Sequence, residues 1–159
     1  MLNRVGESLG REVTADDVEP WTWHIAELGR KPSGVDFANT KAVINQATRS
    51  MAEFLTEYDV YLTPTQGTPP PEIGYLDTPN LTELEHRIDH VHQFTFPFNV
   101  TGLPAMSVPL YWNNDGLPVG VQFVGRFADE STLFRLASQL EATCPWRSKF
   151  PPVPYKQIK

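Results

Sequence analysis

The side chains able to do covalent chemistry are few and scattered. Serines stand at Ser8, Ser33, Ser50, Ser107, Ser131, Ser138 and Ser148, with one cysteine, Cys144, and four histidines. A serine or cysteine hydrolase needs a weak nucleophile beside a base, and an oxyanion needs preorganised N–H donors. Ser107 lies in the apolar run Met106-Ser107-Val108-Pro109-Leu110 and lacks a glycine elbow, so it reads as a strand residue satisfied by hydrogen bonds. A triad of Ser107 with one histidine and Asp59 or Asp89 stays open, because triads are recognised only by geometry. Cys144 precedes Pro145-Trp146 with no histidine beside it and reads as a packed, inert thiol. His86 and His90 stand at i and i+4, a metal-ligand spacing, with His92 just beyond. There is no HExxH pattern and no firm third ligand, so solvated helix-face histidines are expected, with no metal and no cofactor.

These groups must be carried by an alternation of helices and strands. Thr14 has the chemistry of a helix cap, with Asp16 and Asp17 at the positive end of the dipole, and a short helix is expected from Trp21 to Leu28. Gly29 is its expected stop. A longer helix starts near Val35-Asp36, where Phe37, Ile44, Ala47, Met51, Phe54, Leu55 and Tyr58 recur at three- and four-residue spacing, the pattern of a buried stripe. Tyr58 to Thr63 is short, β-branched and aromatic, and reads as a buried strand ending at Pro64. Prolines and glycines between Pro64 and Pro79 exclude regular structure there, and a loop of that length is more often functional than idle. Leu81 to Val91 reads as a short helix, and the segment around Phe94 to Ala105 as turn-rich. Met106 to Trp112 and Leu117 to Gly125 read as strands joined by Asn113-Asn114-Asp115-Gly116, hence an antiparallel hairpin. Gly120 and Gly125 inside the second strand imply a bulge or a close approach. Asp129-Glu130-Ser131 opens a last helix with Leu133, Leu136, Ala137 and Leu140 on one side.

Composition narrows the class. With 159 residues, 40% hydrophobic and 20% charged, the chain has ordinary globular composition and the length of one domain. A net charge of -6 and no Lys/Arg cluster argue against nucleic acid as a partner. No apolar run approaches the roughly 20 residues needed to cross a bilayer, and no apolar stretch follows Met1-Leu2-Asn3-Arg4 as a signal peptide requires. A soluble protein in a reducing, cytoplasmic setting is expected, since one cysteine cannot form an internal disulfide.

Three ordered stretches carry a family resemblance. Tyr58-Asp59-Val60-Tyr61-Leu62-Thr63-Pro64-Thr65, then Phe94 through Pro109, then Gly116 through Gly125 with the helix opening at Asp129 to Leu133, resemble successive motifs in the C-terminal region of amidase signature enzymes. The lead-in Gly10 to Thr14 and Asp16 to Pro20 is similar as well. The resemblance implies an α/β fold, a partial amidase-signature-type mixed sheet with flanking helices and a C-terminal antiparallel hairpin plus helix. It also implies hydrolysis of amide bonds by a serine, a second serine in a cis peptide linkage and a lysine base, from a Gly/Ser-rich region upstream. The serines here never form a Ser-Ser pair, and Lys31, Lys41, Lys149, Lys156 and Lys159 match no such context. No catalytic residue is therefore assigned, and the chain alone is expected to be inactive.

What the resemblance does imply is substrate-pocket wall. The loop after Pro64 and the segment from His92 to Asn99 would approach the acyl side, with Phe94 and Phe96 apolar and Thr65, Gln66, His92 and Asn99 polar. Packing of Phe94, Phe96 and Phe98 in the core is an equal alternative. The amidotransferases of the family have an acidic residue where His92 and Gln93 stand, so an apolar, aryl or linear amide is implied rather than glutamine. The expected organisation is one unit, 1–159, with a helical lead-in at 1–57, strands, loop and final helix at 58–144, and an extended tail at 145–159. A small amide substrate is expected only in the complete enzyme, and the partner is self-association or the N-terminal amidase part, through uncovered strand edges and apolar surface. A non-catalytic complementing module and a small independent hydrolase using Ser107 are the alternatives.

Overall fold

The computed structural model describes residues 2–150. Along the chain it runs α1 (Leu2–Leu9), a 3-10 turn (Ala15–Asp17), α2 (Pro20–Gly29), α3 (Gly34–Phe54), β1 (Tyr61–Pro64), α4 (Leu81–His92), α5 (Phe96–Thr101), β2 (Ala105–Trp112), β3 (Pro118–Val124) and α6 (Glu130–Thr143). The mixed α/β class is as expected. Its sheet is three-stranded and antiparallel in the order β1-β3-β2.

Local chemistry explains most boundaries. Ser33 caps α3: its N–H and hydroxyl donate to Asp36 Oδ2 (2.8 and 2.7 Å) while Asp36 N–H donates back to Ser33 Oγ (3.2 Å). Those bonds hold the Asp36 carboxyl below its ordinary range. Asp129 starts α6 in the same way, accepting from the Thr132 and Ser131 hydroxyls (2.7 and 2.9 Å) and from Thr132 N–H (3.3 Å). In the hairpin, Asn113 Oδ1 accepts from the N–H groups of Asp115 (3.0 Å) and Leu117 (2.8 Å), and only Gly116 takes a positive φ, +76°.

Several expectations change. Thr14 caps a helix start as expected, but that of the 3-10 turn rather than α2: its N–H and hydroxyl both donate to Asp17, which also pairs with Arg11 through two 2.7 Å bonds, and Pro20 opens α2 at its first turn. Gly29 ends α2 as its last helical residue rather than beyond it. Leu2–Leu9 is helical although its sequence carried no cap signal, and the segment read as turn-rich contains α5, with Pro97 in its first turn and Gly102 at φ +73° closing it. Cys144, expected to be packed, is exposed at the end of α6. The stripe along α3 is likewise uncovered at its start, where Phe37 is 66% exposed, while Ile44 is half-buried and Tyr58 beyond the helix is exposed. Met51 and Leu55 pack in the core beside Phe98 of α5, and Phe54 meets Tyr61 of β1 edge-on at 5.8 Å, so the stripe is covered at its last turns.

The sheet is two-faced, and this positions the site. Residues opposite one another in the ladder share a face. Val108, Val121 and Phe123 lie on one face with Met106, and Leu133, Leu136, Ala137 and Leu140 of α6 cover them, with Trp146 alongside. The other face carries Val124, packed with Leu55, Phe98 and Leu103, and then turns polar at Thr63, Gln122, Ser107, Thr65 and Gly120. Full burial of a side chain such as Leu55 contributes roughly 1.5–3 kcal/mol, so the two small clusters hold the sheet by burial while its polar end is left to hydrogen bonds. The Pro-rich tail lies mostly outside the described residues.

Candidate functional site

The polar end of the sheet begins with a buried amide. Gln122 is 4% exposed, and its Nε2 donates to Thr63 Oγ1 at 2.9 Å and to the backbone carbonyl of Phe94 at 2.8 Å. A buried amide must find such partners or forfeit its hydration, so this group ties β3 to β1 and to the chain entering α5. Two residues toward the hairpin, the hydroxyls of Thr65 and Ser107 share a 2.6 Å hydrogen bond. They sit over Gly120, where a Cβ would fall 2.7 Å from each oxygen. The glycine was expected to allow a close approach, and it does; the β-bulge lies opposite it in β2, between Pro109 and Tyr111.

The loop after β1 then folds onto the end of α4. Thr65 N–H donates to Gly120 O (3.1 Å), and Gly67 N–H to Val91 O (3.2 Å). A Cβ on Gly67 would overlap His90 O and the Gln93 side-chain amide, so only glycine fits there. Between this loop and the hairpin lies a cleft of about 200 Å³, lined by Thr65, Gln66, Thr68, Pro70, Ser107, Pro118, Val119 and Gly120. Two buried polar atoms nearby in the chain have no hydrogen-bond partner among the described residues, Thr68 Oγ1 and His92 Nδ1.

Of the six residues anticipated as pocket wall, Thr65 and Gln66 share this cleft. His92 stacks on Phe96, ring centroids 6.1 Å apart at 28°. Phe94 is half-buried and enters the site through its carbonyl, Phe96 is 59% exposed, and Phe98 is the one of the three that belongs to the core. Asn99 is exposed on α5, its N–H donating to Thr95 O (3.2 Å), and no recorded side-chain bond joins it to the others. Sequence reasoning missed Gln122, Thr63 and Thr68. Gln122 is the single polar residue of β3 apart from its glycine, which is the signal that marks it.

Chemically the site offers neutral hydroxyls, amides and an aromatic face. It can hold a neutral hydrogen-bonding group, and among the described residues the side-chain partner of Ser107 is Thr65, not a histidine. His86 and His90 lie elsewhere, in a shallow hollow of about 500 Å³ with Arg87, which bonds Glu83 and the Tyr75 carbonyl. Among the described residues no group of three His, Cys, Asp or Glu side chains converges as a metal site, and no helix is long and apolar enough to cross a membrane. Another hollow, about 680 Å³, lies between α1 and the chain at Arg11 to Val13, remote in sequence from every candidate residue.

Comparison with known proteins gives a consistent result. The family described as Amidase matches residues 4–134. The 6-aminohexanoate-cyclic-dimer hydrolase of Paenarthrobacter ureafaciens is 34% identical over 158 residues, covering 94% of this chain and 32% of that protein. The structure of 6-aminohexanoate cyclic dimer hydrolase complexed with substrate superimposes with a TM-score of 0.86 at 33% identity, over 95% of this chain and 33% of that one. A crystal structure of an amidase gives 0.68 at 26% identity, over 81% and 30%. The chain thus spans about a third of the length of the curated relatives it matches.

Proposed function

The chain belongs to the amidase family, and from that premise we propose that it is the C-terminal portion of an enzyme that hydrolyses carbon–nitrogen amide bonds, folded as one unit. The Ser–cisSer–Lys triad belongs to sequence outside these residues, and this portion supplies pocket wall on the acyl side. Thr65, Gln66, His92 and Asn99 are its polar contacts, and Phe94 and Phe96 its apolar ones. The observation that carries the reading is the polar cleft on the sheet: Thr65, Ser107 and Gly120 form a neutral, hydrogen-bonding surface in which, among the described residues, the serine's side-chain partner is a threonine hydroxyl. A surface of that kind suits a neutral amide substrate.

The substrate class proposed is an apolar or linear amide. The relatives named for a cyclic dimer of 6-aminohexanoate, a neutral amide with methylene chains, support its apolar character, as does the absence of an acidic side chain at His92-Gln93. The partner is the N-terminal amidase part or a second copy, supported by the uncovered start of α3. The single cysteine supports a cytoplasmic setting. The test is turnover of a chromogenic linear amide. The chain alone should give none, and addition of an N-terminal family segment carrying the Ser-Ser pair should give hydrolysis. Turnover by the chain alone that Ser107→Ala abolishes overturns the proposal in favour of an independent hydrolase.

A further inference from the structure

We propose that Gln122 is a positioning residue that sets the acyl-side wall through the backbone of Phe94; the substrate part of this inference rests on the amidase reading above. Gln122 sits in mid-sheet, opposite Thr63 on one side and Ser107 on the other. Its amide is the one recorded side-chain bond between the sheet and the chain from His92 to Thr95. Elsewhere in that chain Gln93 packs its amide against Gly67 of the loop after β1, and Thr95 bonds back to His92 O through its N–H and hydroxyl (both 3.0 Å), while Phe96 is exposed. The bond from Gln122 is thus what ties Phe94 itself to the sheet.

The geometry makes the link directional. With one N–H on Thr63 Oγ1 and the other on Phe94 O, both donors of the amide are used, and the two acceptors lie 59 and 28 residues away along the chain. A side chain that lacks two donors at this reach cannot hold both. Methionine matches glutamine in length and volume yet donates nothing, so Gln122→Met keeps the packing and releases the Phe94 carbonyl. The His92–Phe96 stack, which begins two residues before that carbonyl and ends two residues after it, is then freed from the sheet. A substrate whose acyl group reaches that stack loses a fixed surface, whereas one with a minimal acyl group does not.

Two measurements test this. In the chain itself, hydrogen exchange should quicken about tenfold or more at residues 92–96 in Gln122→Met, with α6 unchanged. Unaltered exchange at 92–96, or an equal rise in α6, overturns the proposal whatever the enzyme does. If Gln122→Met does not fold, Gln122→Asn replaces it, since its shorter side chain cannot span both acceptors. In the chain joined to the catalytic segment, KM for long-acyl amides should rise roughly 3- to 10-fold, the worth of one lost hydrogen bond, with kcat per active site and KM for acetamide unchanged. A uniform fall in kcat for every substrate, or no change in KM, overturns it. Phe96→Ala keeps the two ideas apart. If it leaves KM for every acyl length unchanged, the pocket-wall reading fails; if it shifts KM and Gln122→Met does not, the positioning proposal fails. Where the joined enzyme hydrolyses nothing, the amidase reading fails and the exchange experiment still decides whether Gln122 holds the segment.

Discussion

The hydroxyls of Thr65 and Ser107 meet at 2.6 Å above the bare Cα of Gly120, so three residues from three strand segments define one small polar surface. Each is needed for a different reason. Thr65 and Ser107 satisfy one another where the sheet face has left its apolar core, and Gly120 leaves the volume in which they do so.

Gly120→Ala should therefore destabilise the chain by about 1–3 kcal/mol, because its methyl must displace two hydrogen-bonded oxygens. Urea denaturation reads the loss. Adding Ser107→Ala to the same chain should recover part of it, since one of the two clashing atoms is gone. A Gly120→Ala midpoint equal to the parent's would mean that the two hydroxyls do not sit where this geometry has them.

The two apolar stripes should respond in opposite ways. Leu133 is 4% exposed beneath the sheet, and Leu133→Ala should cost about 2–5 kcal/mol. Phe37, on the uncovered part of α3, should give less than about 0.5 kcal/mol on mutation to Ala in the chain alone. In the chain joined to an N-terminal amidase part, Phe37→Ala should become costly. Equal and small effects in both forms would remove the uncovered stripe as an argument for a partner.

How far the residues revealed this arrangement depends on the range of the interaction. The hairpin and the start of α6 were legible because Asn113, Gly116 and Asp129 act within four residues of themselves. The α3 stripe was legible as a stripe, but periodicity reports which face is apolar and not whether anything covers it. Cys144 was misjudged for the same reason: its type favours burial, while its place at the last turn of α6 exposes it. Asp17 is a helix-start acid as its position implies, in the capping box of the 3-10 turn, but its pairing with Arg11, six residues away, is not marked by local spacing. The Gln122 clamp was illegible, since its partners are set by strand register and by where α5 docks.

Acid should weaken the helix starts. The carboxyls of Asp36, Asp129 and Asp17 are each held below their ordinary value by hydrogen bonds: from Ser33; from Thr132 and Ser131; and from Arg11 and Thr14. A carboxyl with a lower pKa folded than unfolded stabilises the fold fully above its unfolded value, near 4, and that contribution disappears as pH falls through the folded value. The urea midpoint should thus hold between pH 7 and 5 and drop below pH 4. All three groups are solvent-accessible, so salt should reduce the drop at Asp17, which is paired with Arg11, more than at Asp36. In Asp36→Asn the midpoint should fall less steeply with acid. A parent midpoint that rises on acidification contradicts the assignment.

Arg126 offers the sharpest separation of a hydrogen bond from an ion pair. Its Nε donates to Leu55 O at 2.8 Å, and its Nη2 to Tyr58 O (3.3 Å) and Asp59 Oδ1 (3.2 Å), so it closes the end of α3 from the chain that follows β3. Asp59 is 84% exposed, and an ion pair in that setting contributes little. The Leu55 carbonyl belongs to the residue at the centre of the core cluster, where an unmet acceptor costs more. Arg126→Met should lose about 1–2 kcal/mol in urea denaturation, against less than about 0.5 kcal/mol for Asp59→Ala. Arg126→Lys should recover only part, because an ammonium lacks the planar fork that reaches two carbonyls at once. If Asp59→Ala costs as much as Arg126→Met, the ion pair and not the backbone bond is what anchors β3 to α3.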